Sequence, residues 1–199
     1  MRKIRIFAHI SLDGVISPGG QNGNTEYANG GWTAPYRSPA GAETVAATQG
    51  ENFDLLLGRR TYDLWAGFWP AVKTGPFAKG LNAATKFVAT HRPEGLAWGP
   101  VENLGADALT GIRRLKSTDG PDLIVWGSST LTPLLFEQEL VDDVVLLVYP
   151  VLLGRGTRFF SDSAGPRELA LVSSTATSTG VLINTYRHVR SLRNPSQPN

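Results

Sequence analysis

The chain has no cysteine, and it has only three histidines among 199 residues. Without cysteine it can form no disulfide, zinc–thiolate site, iron–sulfur cluster or cysteine nucleophile. His9, His91 and His188 are far apart in sequence, so we expect no histidine-rich metal site. Chemistry at a site in this chain therefore has to come from carboxylates, hydroxyls, cations or a bound organic cofactor.

Charge and long apolar runs are also scarce. Charged residues make up 18% of the chain and the net charge is +2, too little for a dedicated nucleic-acid binder. The longest apolar run, residues 144–153, has about ten residues and contains Pro150, so it is too short to span a bilayer. The apolar segment after the basic residues 1–3 is broken by Asp13, so we expect no signal peptide. These features predict a cytoplasmic protein that binds neither nucleic acid nor membrane.

The length and a hydrophobic content of 41% fit one globular domain with a full core. We assign residues 1–193 to a single domain. Residues 194–199 are polar and proline-rich, which predicts a frayed tail.

Apolar segments alternate with helical patterns along most of the chain. Strands are predicted over 4–12, 53–57, 86–89, 123–126 and 143–149, and a terminal antiparallel pair over 168–174 and 181–189. Helices are predicted over 39–51, 59–68, 77–84, 106–116 and 128–139. Ser38-Pro39 is typical of a helix start. Alternation of this kind predicts an α/β fold with a mainly parallel sheet and helices on both faces.

Three predicted strands run into helices through small, hydroxylated or cationic residues. The junctions are Gly58-Arg59-Arg60-Thr61, Thr90-His91-Arg92 and Gly127-Ser128-Ser129-Thr130. Free N–H groups at a helix start, close backbone approach at glycine and arginine forks all suit phosphate. In the alternative interpretation, the glycines are ordinary turn residues and the arginines are solvated. Two cationic junctions beside an uncharged one match a dinucleotide with an extra phosphate.

Four motifs carry a family resemblance. They are Ser11-Leu12-Asp13-Gly14, Leu57-Gly58-Arg59-Arg60-Thr61-Tyr62, Val125-Trp126-Gly127-Ser128-Ser129-Thr130-Leu131 and the segment from Tyr149-Pro150 through Gly154-Arg155-Gly156 to Phe159-Phe160. In this order they resemble the dihydrofolate-reductase-like superfamily. Within it, the sequence is most similar to the reductase domain of the riboflavin-pathway deaminase/reductase and its stand-alone relatives. The resemblance implies a three-layer fold around a sheet of about eight strands.

The resemblance also implies NADPH as the hydride donor. It places the adenosine-side phosphates at Gly58, Arg59 and Thr61, the 2′-phosphate and adenine at Thr90 and Arg92, and the pyrophosphate at Gly127, Ser128, Ser129 and Thr130. One position departs from the family pattern: Phe7 stands where the riboflavin-pathway reductases usually have a lysine. A phosphoribosyl substrate would lose a cationic anchor there, so the substrate stays open.

Candidate substrate and catalytic residues lie near the first and last motifs. Asp13 and Glu43 are the candidate catalytic residues. Asp13 could orient the substrate or the nicotinamide, or help to deliver a proton through water. Glu43, as a general acid, would need a pKa raised by burial, and solvent is the alternative proton source. The long loop 15–39 is too long for a plain connection, so we expect it to be functional or mobile. Ser11, Trp32, Tyr36, Gly154 and Gly156 are expected to contact the substrate or form the rim of its site. His9, inside a buried strand, is more typical of a hydrogen-bonded core histidine than of a catalyst.

These observations predict an NADPH-dependent reductase of a small heterocycle. The activity named first is reduction of 5-amino-6-(5-phosphoribosylamino)uracil, and a dihydrofolate or pterin reductase is the second. A nucleotide-binding module without turnover is the alternative from another class. The apolar late strands further predict a homodimer.

Overall fold

A computed structural model describes residues 1–17, 31–160 and 165–191. Its strands are β1 (Ile4–Ser11), β2 (Val15–Ser17), β3 (Phe53–Gly58), β4 (Lys86–Ala89), β5 (Val101–Asn103), β6 (Asp122–Trp126), β7 (Asp143–Tyr149), β8 (Thr157–Arg158), β9 (Arg167–Ala176) and β10 (Leu182–Ser191). Its α-helices are α1 (Pro39–Gln49), α2 (Arg59–Ala66), α3 (Pro76–Ala83), α4 (Ala108–Ser117) and α5 (Leu131–Glu137). Single-turn 3-10 helices cover Ala34–Tyr36 and Trp69–Ala71. The predicted tail, 194–199, and the middle of the predicted loop, 18–30, lie outside the described residues.

Eight strands form one sheet in the order β5-β4-β3-β6-β1-β7-β10-β9. The strands from β5 to β7 are parallel, and β10 and β9 continue the sheet antiparallel. A two-stranded ribbon, β2 with β8, stands apart from it. The predicted mainly parallel α/β fold is thus confirmed.

The sheet is buried on both faces, which makes three layers. One core includes Ile6, Leu123 and Val144 with Ile112 of α4 and Leu135 of α5. On the other face, the core includes Phe7, Leu55 and Leu147 with residues of α1, α2 and α3. Because both faces are covered, the central strands are continuous apolar runs, as expected for parallel sheets.

α1 follows β1 onto one face, whereas α5 follows β6 onto the other. Because β1 and β6 are neighbours in the sheet, the chain leaves their carboxyl ends in opposite directions. Such a switch point opens a crevice at the carboxyl edge of a parallel sheet, where ligands bind.

Two sequence predictions need correction, and a third is confirmed. The short strands β2, β5 and β8 were not predicted, because two or three residues are too few to establish a period. The predicted helix 128–139 begins only at Leu131, because Gly127 and Ser128 have φ values of 63° and 69° and cannot be helical. The helix start at Ser38-Pro39 is confirmed, since Ser38 Oγ accepts a hydrogen bond from Gly41 N at 3.0 Å.

Candidate active site

The predicted site residues gather at the carboxyl edge of the sheet. β4, β3, β6, β1 and β7 are consecutive neighbours. Their ends carry Thr90, Gly58, Gly127, Ser11 and Tyr149, respectively. Parallel strands end at the same edge, so segments that are distant in sequence meet there.

Gly58 and the turn at 127–130 form one close contact. A Cβ on Gly58 would lie 2.7 Å from Ser128 Oγ, so only glycine fits beside that hydroxyl. A Cβ on Gly127 would meet nothing within 4 Å, so the space in front of the turn is open. Within the described parts of the chain, the N–H groups of Ser129 and Thr130 have no backbone or side-chain acceptor. This combination of open space and available donors suits an anion.

Ser128 is a non-glycine residue with a positive φ of 69°, a conformation that costs about 1–2 kcal/mol. Its Oγ accepts a hydrogen bond from Leu131 N at 3.3 Å, and its carbonyl accepts one from Thr132 N at 3.0 Å. Thr132 Oγ1 also donates to Gly127 O at 2.8 Å. These bonds hold the turn in a conformation that its sequence disfavours, as is common at functional sites.

Arg59 links the ends of β3 and β4. Its guanidinium donates to the carbonyls of Arg92 and Glu94, the latter at 2.9 Å, and its Nε donates to Asp63 Oδ1 at 2.8 Å. A carboxylate therefore already pairs with the cation that was expected to bind an adenosine-side phosphate. Arg59 presents fewer free donors to a phosphate than its sequence position suggested.

Of the other residues at this corner, Thr90 is buried in a turn in which Thr90 Oγ1 accepts from Arg92 N at 2.9 Å. The side chains of Arg60 and Arg92 are exposed, and Thr61 is half-buried. Arg92 is thus the cation that the structure leaves most accessible beside Thr90.

Asp13 ties β1 to the loop after β7. Its carboxylate accepts hydrogen bonds from Ser11 Oγ, from Leu153 N at 3.1 Å and from Gly154 N at 2.6 Å. The Ser11 bond, with further help from these backbone groups, lowers the pKa of Asp13 to about 2. Asp13 is therefore a carboxylate at any working pH. The expectation that it donates a proton does not fit this geometry, and its role here is to position the loop.

Ser11 and Glu43 also do not fit the roles that were expected of them. Ser11 is buried. Its hydroxyl donates a hydrogen bond to Asp13 and accepts one from Val15 N at 2.9 Å. Glu43 lies on α1 with an exposed side chain, so it lacks the burial that a general acid role requires. Helical spacing alone placed Glu43 beside the apolar face of α1, but its side chain does not enter the core.

All five tryptophans belong to the face of the sheet that α1, α2 and α3 cover. Trp126 lies at their centre, with Trp65 at 6.2 Å and Phe77 at 6.0 Å between ring centroids. Trp32 is buried and packs edge-on against Tyr149 at 5.0 Å, and Tyr36 does so at 5.6 Å. These rings form an aromatic wall, to which β6 contributes Trp126 and β7 contributes Tyr149.

The polar pair within this wall, His9 and Tyr149, was not predicted from the sequence. His9 Nδ1 and Tyr149 OH are 2.8 Å apart, and the His9 ring stacks on Trp126 at 5.5 Å. Burial, and secondly the Arg37 guanidinium, lower the pKa of His9 to about 4. Burial raises the pKa of Tyr149 to about 12, with Arg37 opposing that shift. A histidine in an otherwise apolar strand was the available signal, but its partner lies 140 residues further along the chain.

Gly154 and Gly156 follow β7 beside the Asp13 carboxylate, and both have positive φ. They form part of the rim near β1. A groove of about 780 Å³ lies elsewhere, between α3 and the loop around Trp98, and none of the candidate residues lines it. Among the described residues, there is no helix that could cross a membrane and no cluster of three or more possible metal ligands.

The fold is of the dihydrofolate-reductase-like α/β type. Residues 2–183 match the model of the RibD C-terminal domain family, and the chain belongs to that family. It is 25% identical to the uncharacterized protein YyaP of Bacillus subtilis (strain 168) over 189 residues, which cover 93% of this chain and 94% of YyaP.

Two solved structures share the fold. A pyrimidine reductase-like protein from Corynebacterium diphtheriae aligns with a TM-score of 0.66 and 15% identity, covering 96% of this chain and 93% of that one. Dihydrofolate reductase from Enterococcus faecalis, complexed with NADP(H), aligns with a TM-score of 0.59 and 16% identity, covering 94% and 96%. The family and these neighbours point to a reductase-like enzyme.

Proposed function

We propose that the protein is an NADPH-dependent reductase of a small heterocyclic substrate, acting in the cytoplasm as a homodimer. The observation that carries this proposal is the meeting of all four motifs at the switch point between β1 and β6. The anion-suited turn at 127–130 and the aromatic wall lie side by side there. The turn would bind a dinucleotide and the aromatic wall a flat ring. A hydride transfer needs the cofactor and the substrate held side by side in this way.

The residues present fit NADPH. The open space before Gly127 and the N–H groups of Ser129 and Thr130 would receive the pyrophosphate. Gly58 and Thr61 would face the adenosine-side phosphates, and Arg59, Thr90 and Arg92 the 2′-phosphate. NADPH, when bound, supplies the hydride. The protein then orients the ring against it and keeps water out.

The substrate proposed first is a phosphoribosylaminopyrimidine, and a dihydrofolate or pterin is second. Phe7 is fully buried against Trp126, at 5.0 Å between ring centroids, so this position offers no phosphate anchor. The cation beside the aromatic wall is Arg37, which lies near enough to affect His9 and Tyr149. Arg37 suits either a phosphate or the carboxylate of a folate, so it does not separate the two substrates.

Binding of NADPH tests the proposal most directly. We expect quenching of tryptophan fluorescence on titration with NADPH, because the tryptophans lie beside the proposed site. Gly127→Val should abolish this binding, since its side chain fills the space that the pyrophosphate needs. The matched control is Gly105→Val, which also has a positive φ and open space but lies after β5, away from the motifs.

A variant at Gly127 that binds NADPH like the wild type would refute the pyrophosphate assignment. Turnover is tested by NADPH oxidation with 5-amino-6-(5-phosphoribosylamino)uracil and with dihydrofolate. Tight binding of NADPH without oxidation by a panel of pyrimidines and pterins would favour the nucleotide-binding module instead.

A further inference from the structure

The proposed reduction needs a proton as well as a hydride, and neither predicted carboxylate can supply it. Asp13 is held as an anion by its hydrogen bonds to Ser11, Leu153 and Gly154. Glu43 is exposed on α1. Two protic groups that contact each other within the aromatic wall are the imidazole of His9 and the hydroxyl of Tyr149.

The two residues come from neighbouring parallel strands and lie near their carboxyl ends. Ser11 of β1 pairs with Tyr149 of β7, so His9 sits two positions back on the same face of the sheet. The 2.8 Å contact between His9 Nδ1 and Tyr149 OH therefore joins diagonal neighbours on the two strands and not a directly paired residue. The pair is therefore fixed by the sheet rather than by a flexible loop.

Aromatic rings pack against both members of the pair. Trp126 covers the His9 ring, and Trp32 and Tyr36 pack edge-on against the Tyr149 ring. Other polar groups of the aromatic core are matched within the protein: Trp126 Nε1 donates to Gln49 Oε1 at 2.9 Å, and Trp98 Nε1 to Asn82 Oδ1 at 2.8 Å.

Trp32 breaks this pattern. Its Nε1 is buried, yet it has no acceptor in the described parts of the chain. A buried N–H without a partner costs free energy and calls for an explanation. An acceptor atom of a bound heterocycle beside Tyr149 would satisfy it.

We propose that Tyr149 and His9 form a proton relay to the ring heteroatom of the bound heterocycle; this inference rests on the proposed function. Tyr149 gives its hydroxyl proton to the heteroatom and takes the Nδ1 proton of His9. His9 takes a proton from water at Nε2 and so exchanges one neutral tautomer for the other. The relay moves no electrons. The hydride of the proposed reaction brings the electron pair of the new C–H bond, and the heteroatom takes the proton with the electron pair of the carbon–heteroatom bond that breaks.

The electrostatics agree with a neutral relay. With pKa values of about 4 for His9 and about 12 for Tyr149, both groups are uncharged across the neutral range. Arg37 is the charged group that acts on both of them, and it disfavours the imidazolium. The single-turnover rate should therefore be flat between about pH 5 and pH 9, whereas a carboxylic acid donor would lose rate as pH rises.

Nitrogen NMR of the imidazoles tests contact without requiring turnover. With only three histidines, the signals can be assigned by His9→Gln, His91→Gln and His188→Gln. The probes are 5-amino-6-(5-phosphoribosylamino)uracil and dihydrofolate, each titrated into the protein without NADPH. We expect the binding probe to shift the His9 signals and to leave those of His91 and His188 in place.

Rates then test the relay. Tyr149→Phe should bind the probe within about threefold of the wild type but lower the single-turnover rate by about 10²-fold or more. Tyr186→Phe, on β10, is the matched control and should change neither. Probe binding that leaves the His9 signals unmoved, no binding of either probe, or a wild-type rate in Tyr149→Phe would each overturn the relay. Failure of the wild type to bind NADPH would refute the proposed function separately, because the NMR titration needs no cofactor.

Discussion

Replacing Gly58 with alanine should destabilise the protein through one definable contact. Gly58 ends β3, and the added Cβ would lie 2.7 Å from Ser128 Oγ on the turn after β6. A Cβ atom essentially never lies within 3.0 Å of a non-bonded oxygen, so one of the two groups has to move. Gly58 itself has an ordinary φ of −75°, so backbone strain contributes nothing to this effect.

Either the Ser128 side chain or the backbone of the turn can move, and the movement that costs less free energy determines the loss of stability. Rotation of the Ser128 side chain gives up the hydrogen bond from Leu131 N, which is worth about 0.5–1.5 kcal/mol. Shifting the backbone of the turn instead costs about 1–3 kcal/mol, as overpacking usually does. We therefore expect a loss of about 1 kcal/mol in the free energy of unfolding. For a protein of 199 residues, that corresponds to about 2–4 °C in Tm.

A double-mutant cycle with Ser128→Gly isolates the contact. Glycine at 128 removes Oγ and suits the φ of 69°, so Gly58→Ala should cost almost nothing in that background. Unfolding by denaturant at constant pH gives the four free energies. Gly67→Ala is the matched control, because its Cβ would make only ordinary contacts at 3.7 Å. Additive effects of the two substitutions would show that the Gly58–Ser128 contact is not the cause.

Three further predictions concern charge, pH and assembly. Arg92→Ala and Arg59→Ala should each weaken NADPH binding about tenfold and leave NADH binding nearly unchanged. Arg60→Ala, which removes an exposed arginine, is the control. Equal losses of affinity for both dinucleotides in calorimetry would contradict the 2′-phosphate assignment. Because the pKa of His9 is 6.5 when unfolded and about 4 when folded, the unfolded chain binds the extra proton, so His9 should contribute about 3 kcal/mol of stability above pH 6.5 that is lost as pH falls towards 4. This loss should be smaller by that amount in His9→Gln and unchanged in His91→Gln, and the remaining slope in His9→Gln comes in part from His188, whose pKa burial also lowers. The edge strand β9 exposes Leu171 and Val172, so a second copy should cover it. Sedimentation should give a dimer that Leu171→Glu dissociates, and a wild-type species near 21.4 kDa would refute this.

Much of the fold could be predicted from local pattern. The strands at Lys86–Ala89 and Asp143–Tyr149 are found within the predicted limits, because apolar runs bounded by turn residues carry their own signal. The start of α1 at Ser38-Pro39 could also be predicted, because a capping residue and a proline both act within the first turn of a helix. The junctions Gly58-Arg59 and Gly127-Ser128 were found for the same reason.

What these residues do was decided by tertiary structure. Asp13 and Glu43 have the same carboxyl group, but three hydrogen bonds fix the charge of one, and exposure excludes the other from the cleft. Arg59 was predicted as a phosphate ligand, yet carbonyls 33 and 35 residues away already occupy part of its guanidinium. The pairing of His9 with Tyr149 exists only because β1 and β7 are neighbours in the sheet. Local sequence determines which elements form, because caps, periods and turns act over a few residues. Charge state and hydrogen-bond partners depend on groups far along the chain, and only folding brings those groups within reach.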